Sequence, residues 1–275
     1  MHMPVNTFKQ ALNERRRQLG LWIGLSDSYA AELFASTGYD WLLIDAEHAP
    51  NDPRSVLRQL QAMAAYPVHP IVRPVHGSVE LVKQYLDLGA QTLLIPMVET
   101  AEQAAHMVSA TRYPTRGIRG VGSAIARASR WNQIDGYLHG SDEQMCVLVQ
   151  IESVAALERV ESIASVPGVD GVFFGPADLS ASMGLIGRPM DCAVQAAILE
   201  GMAAVARAGK PAGCLCSNRE FALRCLAAGA TFVAVGVDTS LLVKAASDLL
   251  AAFKEPRPTG EGSGRDRPGR EGPGY

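Results

Sequence analysis

The sequence predicts an α/β chain folded as a single (β/α)8 TIM barrel, and three observations carry that expectation. Short apolar runs, often β-branched, recur between longer stretches in which apolar residues fall at helical spacing. No hydrophilic linker interrupts the alternation through residue 254. The 275 residues, 48% of them hydrophobic, suit one such barrel, whose usual length is about 250 residues. A doubly wound open sheet is the other arrangement such alternation allows, but no GxGxxG follows the first run.

Taken in order, strands are expected at Leu21–Leu25, Trp41–Ile44, Pro70–Val72, Thr92–Ile95, Val147–Ile151, Val172–Phe174, Ala212–Leu215 and Phe232–Val237. Helices are expected at Arg54–Ala65, Val79–Leu88, Ala101–Ala110 and Ala193–Ala208, stretches rich in strong helix formers. Asp52 followed by Pro53 is a helix start: a carboxylate at the N-cap, and a proline where its missing N–H goes unneeded. Gly38, Gly89, Gly209 and Gly229 follow helices, where a left-handed residue closes the last turn.

Two segments break the rhythm. Residues 112–145 form a long insertion before the fifth strand, carrying Arg112, Arg116, Arg119, Arg127 and Arg130. A loop of that length is expected to serve function. Lying over the barrel mouth, it would be a net basic cover suited to a substrate with its own carboxylate. Residues 255–275 are rich in Gly and Pro and nearly free of apolar side chains, so a disordered tail is expected there. The domain reading is therefore a barrel over 1–254 followed by that tail.

Composition excludes several classes. A formal charge of −3 gives no electrostatic reason to expect nucleic acid or a membrane as partner. No apolar run approaches the roughly 18–20 residues of a membrane span, and the N-terminus lacks a basic-then-apolar export pattern. Cys146, Cys192, Cys214, Cys216 and Cys225 read as thiols of a reducing, cytoplasmic compartment rather than a disulfide framework. Cys214 and Cys216 share one face of a strand and read as packing, since no second pair exists to close a tetrahedral metal site.

In such barrels the chemistry collects at the C-terminal ends of strands. The second strand delivers Asp45, Glu47 and His48, the third Arg73, the fifth Gln150 and Glu152, and the sixth runs into Asp178. Glu152 and Asp178 offer hard oxygen ligands suited to Mg2+, Mn2+ or Co2+, although an Asp after Gly-Pro is also a common helix cap. Arg73 can hold a carboxylate or a developing enolate oxygen in its planar fork. His48, with Asp45 three residues before it, suggests an oriented imidazole acting on protons. His69 begins a strand and His106 lies mid-helix, so both read as structural. Metal, cation and base together fit enolate chemistry on a 2-oxo acid. The lysines (Lys9, Lys83, Lys210, Lys244 and Lys254) all lie away from the C-terminal strand ends, so a Schiff-base mechanism has no amine to use.

At these residues the sequence resembles the metal-dependent (class II) pyruvate aldolases of the 2,4-dihydroxyhept-2-ene-1,7-dioate aldolase family. DWLLIDAEHAPND, HPIVRP, TLLIPMVETAEQA, RGIRGVGSAIARASRW, VLVQIES, GVFFGPADLSASMG and FVAVGVDTSLL match in order across roughly residues 7–253. The resemblance implies that Glu152 and Asp178 ligate the metal and that Arg73 faces the pyruvate oxygen. It implies that His48 paired with Asp45 handles protons, that Gln150 holds a water beside the metal, and that amides around Ala177 and Asp178 grip the pyruvate carboxylate. Asp87 matches an acid offered to the His site of an adjacent subunit. Family members are typically homohexamers with the C-terminal helix exchanged between neighbours. Where the family usually has Gly, this chain has Ala46.

The reaction so implied is reversible retro-aldol cleavage of 4-hydroxy-2-oxoheptanedioate to pyruvate and succinate semialdehyde, in aromatic catabolism. Either His48 itself or a water it polarises would be the base. Sugar-acid aldolases of the 2-keto-3-deoxy-rhamnonate or 5-keto-4-deoxy-glucarate type are the nearest rival within the family. A CoA-ester lyase and a non-catalytic binding barrel are the readings from other classes.

Overall fold

A computed structural model of the chain describes residues 1–254. Contacts divide them into two units: Met1–Leu241, which holds the barrel, and a segment that opens at Leu242 and is helical through Lys254. The tail expected at 255–275 lies outside the described residues.

Eight parallel strands close in chain order: β1 (Gln18–Ile23), β2 (Trp41–Asp45), β3 (His69–Arg73), β4 (Thr92–Ile95), β5 (Cys146–Ile151), β6 (Gly171–Phe174), β7 (Ala212–Leu215) and β8 (Phe232–Val237). Ahead of them lies α1 (Thr7–Asn13). Between them run α2 (Ser28–Ala35), α3 (Pro53–Met63), α4 (Val79–Leu88), α5 (Ala101–Ala110), α6 (Tyr137–Gln144), α7 (Val154–Glu158), α8 (Val160–Ala164), α9 (Pro176–Ser182), α10 (Cys192–Arg207) and α11 (Arg219–Ala227); α12 (Asp238–Lys254) follows β8. The expected barrel is the observed one. Asp52 caps α3 as anticipated, accepting from the Ser55 amide at 2.7 Å, and Gly89 closes α4 with φ of 102°. β1 starts at Gln18 rather than Leu21, because polar Gln18 and the bare Gly20 disguise the run; a Cβ at Gly20 would enter the Trp41 ring.

Side chains alternate across each strand, and that alternation builds the site. Leu42 and Ile44 of β2 face the helices in the larger cluster, with Val72, Val147, Val149 and Phe174. Trp41 and Leu43 face inward with Ile71, Leu148 and Phe173. The next inward positions are Asp45 on β2, Arg73 on β3, Gln150 on β5 and Gly175 just past β6. The apolar interior thus ends in a polar top layer at the C-terminal mouth.

At the opposite end, Phe8 and Leu12 of α1 plug the floor. The Phe8 ring stacks on His69 with centroids 5.5 Å apart. Burial there pushes His69 down to about 3, so it stays neutral and shares a 2.7 Å hydrogen bond with Thr92 Oγ1. The five cysteines are free thiols, and Cys214, Cys216 and Cys225 pack in the helix-facing cluster.

The insertion departs from expectation. It joins the end of α5 to the start of β5, so it lies at the floor, where helices return to strands, and not over the mouth. Three of its five arginines are engaged locally. Arg116 pairs with Asp142 at 3.0 Å, Arg119 with Asp87 at 2.7 Å, and Arg127 donates to Leu88 O at 2.8 Å. The expected basic cover therefore does not lie over the mouth of its own chain.

Candidate active site

Asp45 and Arg73 are register partners across β2 and β3. Arg73 Nε donates to Asp45 Oδ1 at 2.9 Å and Nη2 to Oδ2 at 2.7 Å, a side-on fork with both residues almost fully buried. Trp22 completes the setting from β1. Its indole N–H donates to Asp45 Oδ2 at 3.2 Å, and the guanidinium lies 4.9 Å from its ring centroid. Burial pushes the Asp45 carboxyl up, but the hydrogen bonds and charge of Arg73 more than offset it and hold the group below its ordinary value.

Glu47 approaches the same guanidinium, its Oε2 2.8 Å from Arg73 Nη1. Burial raises its proton affinity; Arg73 and His48 work against that rise, while Asp45 and Asp178 add to it. Glu152, just past β5 and 2% exposed, accepts from the Met97 amide at 3.1 Å and from Gln150 Nε2 at 2.6 Å. It is pushed up to about 7, first by burial and further by Glu47 and Asp178, with Met97 and Arg73 pulling back. Three carboxylates thus crowd one region with a single arginine among them.

Ala177 and Asp178 are exposed in the first turn of α9. The expected pairing of the Asp45 and His48 side chains is not made; only the His48 amide reaches Asp45, donating to Oδ1 at 3.4 Å. Both Asp45 oxygens are occupied by Arg73, and Oδ1 further accepts from the Glu47 amide at 3.0 Å. The His48 side chain is 64% exposed, and its nearest acid is Glu47, at 3.9 Å from Nε2. The guanidinium on the neighbouring strand outcompetes a ring on the following loop.

The family described as HpcH/HpaI aldolase/citrate lyase matches residues 18–245. The chain belongs to this family. A hydroxypyruvate/pyruvate aldolase of Paraburkholderia phytofirmans is 61% identical over 255 residues, covering 93% of this chain and 96% of that protein. A 4-hydroxy-2-oxo-heptane-1,7-dioate aldolase of Salmonella dublin is 56% identical over 248 residues, covering 90% and 94%. Among solved structures, an HpcH/HpaI aldolase/citrate lyase family protein from Burkholderia cenocepacia superposes with TM-score 0.88 at 40% identity, covering 91% of this chain and all 100% of that one. The protein is an aldolase, hence a lyase, with a TIM barrel fold.

HpcH/HpaI aldolases generally depend on a divalent metal, and the residues here fit one. Gln150 Oε1 is buried without a hydrogen-bond partner, and burial together with Glu47 and Asp178 gives Glu152 surroundings in which a cation would be favoured. A Cβ at Gly175 would stand 2.5 Å from Glu152 Oε1 and 2.9 Å from Gln150 Nε2, so the bare glycine keeps that space open. Among the described residues no three His, Cys, Asp or Glu side chains group closely enough to hold a metal ion between them. Asp87 is not brought to the mouth within the chain: it ends α4 on the floor side, paired with Arg119. No helix among the described residues is long and apolar enough to cross a membrane.

Sequence reasoning missed Trp22, Glu47 as a partner of Arg73, and Gly175. Only Trp22 had a usable signal, an aromatic near the tip of the first strand.

Proposed function

We propose that this aldolase makes and breaks the C3–C4 bond of 4-hydroxy-2-oxo acids, with pyruvate or hydroxypyruvate as the nucleophilic half. The observation that carries this is the Arg73 clamp. Asp45 takes two of the guanidinium's five N–H groups and Glu47 crowds a third. What is left is a short, rigid donor edge beside Glu152, suited to an oxygen that gains charge as an enolate forms. Glu152 and Asp178 would hold a divalent ion (Mg2+, Mn2+ or Co2+), which supplies Lewis-acid polarisation of the 2-oxo group. Gln150 orients Glu152 and offers its free Oε1 to a water. Amides at Ala177 and Asp178 hold the substrate carboxylate. His48 takes the C4 hydroxyl proton in cleavage, while Asp45 serves by fixing Arg73. In a homo-oligomer, a hexamer by resemblance, Asp87 of one copy would approach the His48 site of another.

Relatives named hydroxypyruvate/pyruvate aldolase, at 56–61% identity, favour that pair of nucleophiles. Relatives named 4-hydroxy-2-oxo-heptane-1,7-dioate aldolase, at 56–57%, support cleavage of 4-hydroxy-2-oxoheptanedioate to pyruvate and succinate semialdehyde as the second reading. The deciding experiment measures kcat/KM with each nucleophile against succinate semialdehyde, butanal, glyceraldehyde and lactaldehyde. Turnover of hydroxypyruvate comparable to pyruvate supports the first reading. Pyruvate alone with strong preference for succinate semialdehyde supports the second, and a clear preference for lactaldehyde moves the assignment to sugar-acid aldolases.

A further inference from the structure

We propose that Met97 is a positioning residue for Glu152: a left-handed turn past the tip of β4 aims its backbone amide at one carboxylate oxygen and so fixes the direction in which Glu152 meets a divalent ion. This assignment rests on the proposed metal role of Glu152 and adds to it the part of the chain that holds that side chain still.

Met97 has φ of 52°, a region crowded for any residue that carries a Cβ. Among the described residues Arg15, Arg130, Trp131 and Asn132 also have positive φ, and all four lie on the floor side, before β1 or within the insertion. Met97 alone of these follows a strand tip, two residues past the end of β4. Backbone strain persists only where the surroundings enforce it, and it concentrates at functional sites. Packing of the side chain does not enforce it here, since Met97 is 49% exposed.

The loop from β4 to α5 is instead fastened residue by residue to the tip of β5. Met97 N–H donates to Glu152 Oε2 at 3.1 Å, and Val98 N–H donates to Gln150 O at 3.2 Å. Both oxygens of Glu99 lie 2.8 Å from the Ser153 hydroxyl that donates to them, and Ser153 in turn caps α7. Two successive amides thus face β5, as they do in other turns whose neighbouring N–H groups converge on an anion. On the far side of the carboxylate, Gln150 Nε2 donates to Glu152 Oε1 at 2.6 Å. Neither donor is charged, so neither cancels the attraction of Glu152 for a cation, and each oxygen keeps lone pairs to offer one. Held at both oxygens, the carboxylate is ordered before an ion arrives.

The test titrates the metal-free protein with Mn2+ and follows the free ion by electron paramagnetic resonance, a measure independent of turnover. Met97→Val opposes the left-handed backbone through its branched Cβ. It is expected to weaken Mn2+ binding by about tenfold or more, the scale on which a partner of a metal ligand acts. Met97→Gly and Met97→Asn tolerate positive φ and are expected to bind within about twofold of wild type, although both remove the thioether. Replacing Met97 by its α-hydroxy acid exchanges the N–H for an ester oxygen and keeps the side chain. That variant is expected to lose as much affinity as Met97→Val, and it decides the matter should Met97→Val fail to fold. Wild-type binding in the ester variant, or Gly and Asn variants as weak as Val, overturns the proposal while leaving the metal reading intact. Undiminished Mn2+ binding by Glu152→Gln brings down the metal reading beneath it as well.

Discussion

Arg73 lays Nε and Nη2 on the two oxygens of Asp45, one strand away in register, at 2.9 and 2.7 Å. A lysine keeps the charge there but places a single point ammonium where a planar fork had filled both oxygens. Arg73→Lys is therefore expected to lower kcat by roughly 10²–10³, the usual effect of losing a transition-state oxyanion donor. A change confined to KM would make Arg73 a substrate anchor only. Arg73→Ala strands a buried Asp45 and should also cost about 3–5 kcal/mol of stability, read by urea denaturation.

Glu152 leads to a prediction in which stability and activity move oppositely. Its folded pKa of about 7 lies above the ordinary 4.5, so between those values the folded state binds more protons than the unfolded one. Stability of the metal-free protein must then fall as pH rises through that window, by about 3 kcal/mol from this group. Glu152→Gln removes the penalty. In excess chelator the variant should melt above wild type at pH 8 and converge with it near pH 4.5, while its metal-dependent aldolase activity is lost. Wild type with Mg2+ or Mn2+ should regain stability at pH 8, because the ion replaces the proton.

Asp178 is exposed in the first turn of α9. Asp178→Ala is accordingly expected to leave the melting temperature of the metal-free protein within the small range of surface changes. It should nonetheless abolish activation by divalent ions. EDTA should silence the wild type, and borohydride with pyruvate should not, since no lysine stands at the mouth. Full activity of Asp178→Ala would remove it from the metal site.

What the sequence could disclose follows from which features are local. Short apolar runs such as WLLID and helical spacing such as VELVKQYLDL are local, and both elements form where expected. Residue types at strand tips are also local, so Asp45, Arg73, Gln150 and Glu152 could be named. The pairing of Asp45 with Arg73 was not legible, because it depends on the β2–β3 register and on a guanidinium competing against His48 from another strand. Trp22 offered a signal, an aromatic near the tip of the first strand, but its inward direction is set only when the barrel closes. The misplacement of the insertion was avoidable, since a segment that follows a helix and precedes a strand returns at the floor.

That placement carries its own expectation. Arg116, tied to Asp142 at the floor, should have no part in choosing the aldehyde. Arg116→Ala is expected to leave the ratio of kcat/KM for succinate semialdehyde over butanal within about twofold, below the 1–3 kcal/mol that a direct pocket contact supplies. A tenfold change in that ratio would return the insertion to the substrate.

Gly175 bears most directly on the proposed metal site. Its φ of −97° is open to any residue, so the glycine is there for space and not for backbone freedom. An added Cβ meets Glu152 Oε1, Glu152 Cγ and Gln150 Nε2, all within 2.9 Å. Neither side chain can retreat freely: Glu152 is held by Met97 and by Gln150 itself, and both are buried. Gly175→Ala should thus cost about 1–3 kcal/mol, as overpacking does, while turning the Glu152 oxygens away from their aim. The metal concentration for half-maximal activity is expected to rise at least tenfold, the scale on which disturbed ligand orientation acts, with the remaining activity recovered at high Mn2+. Titrating the variant with metal under saturating substrate reads this. An unchanged half-activation point alongside a lowered melting temperature would mean that Glu152 does not hold the ion.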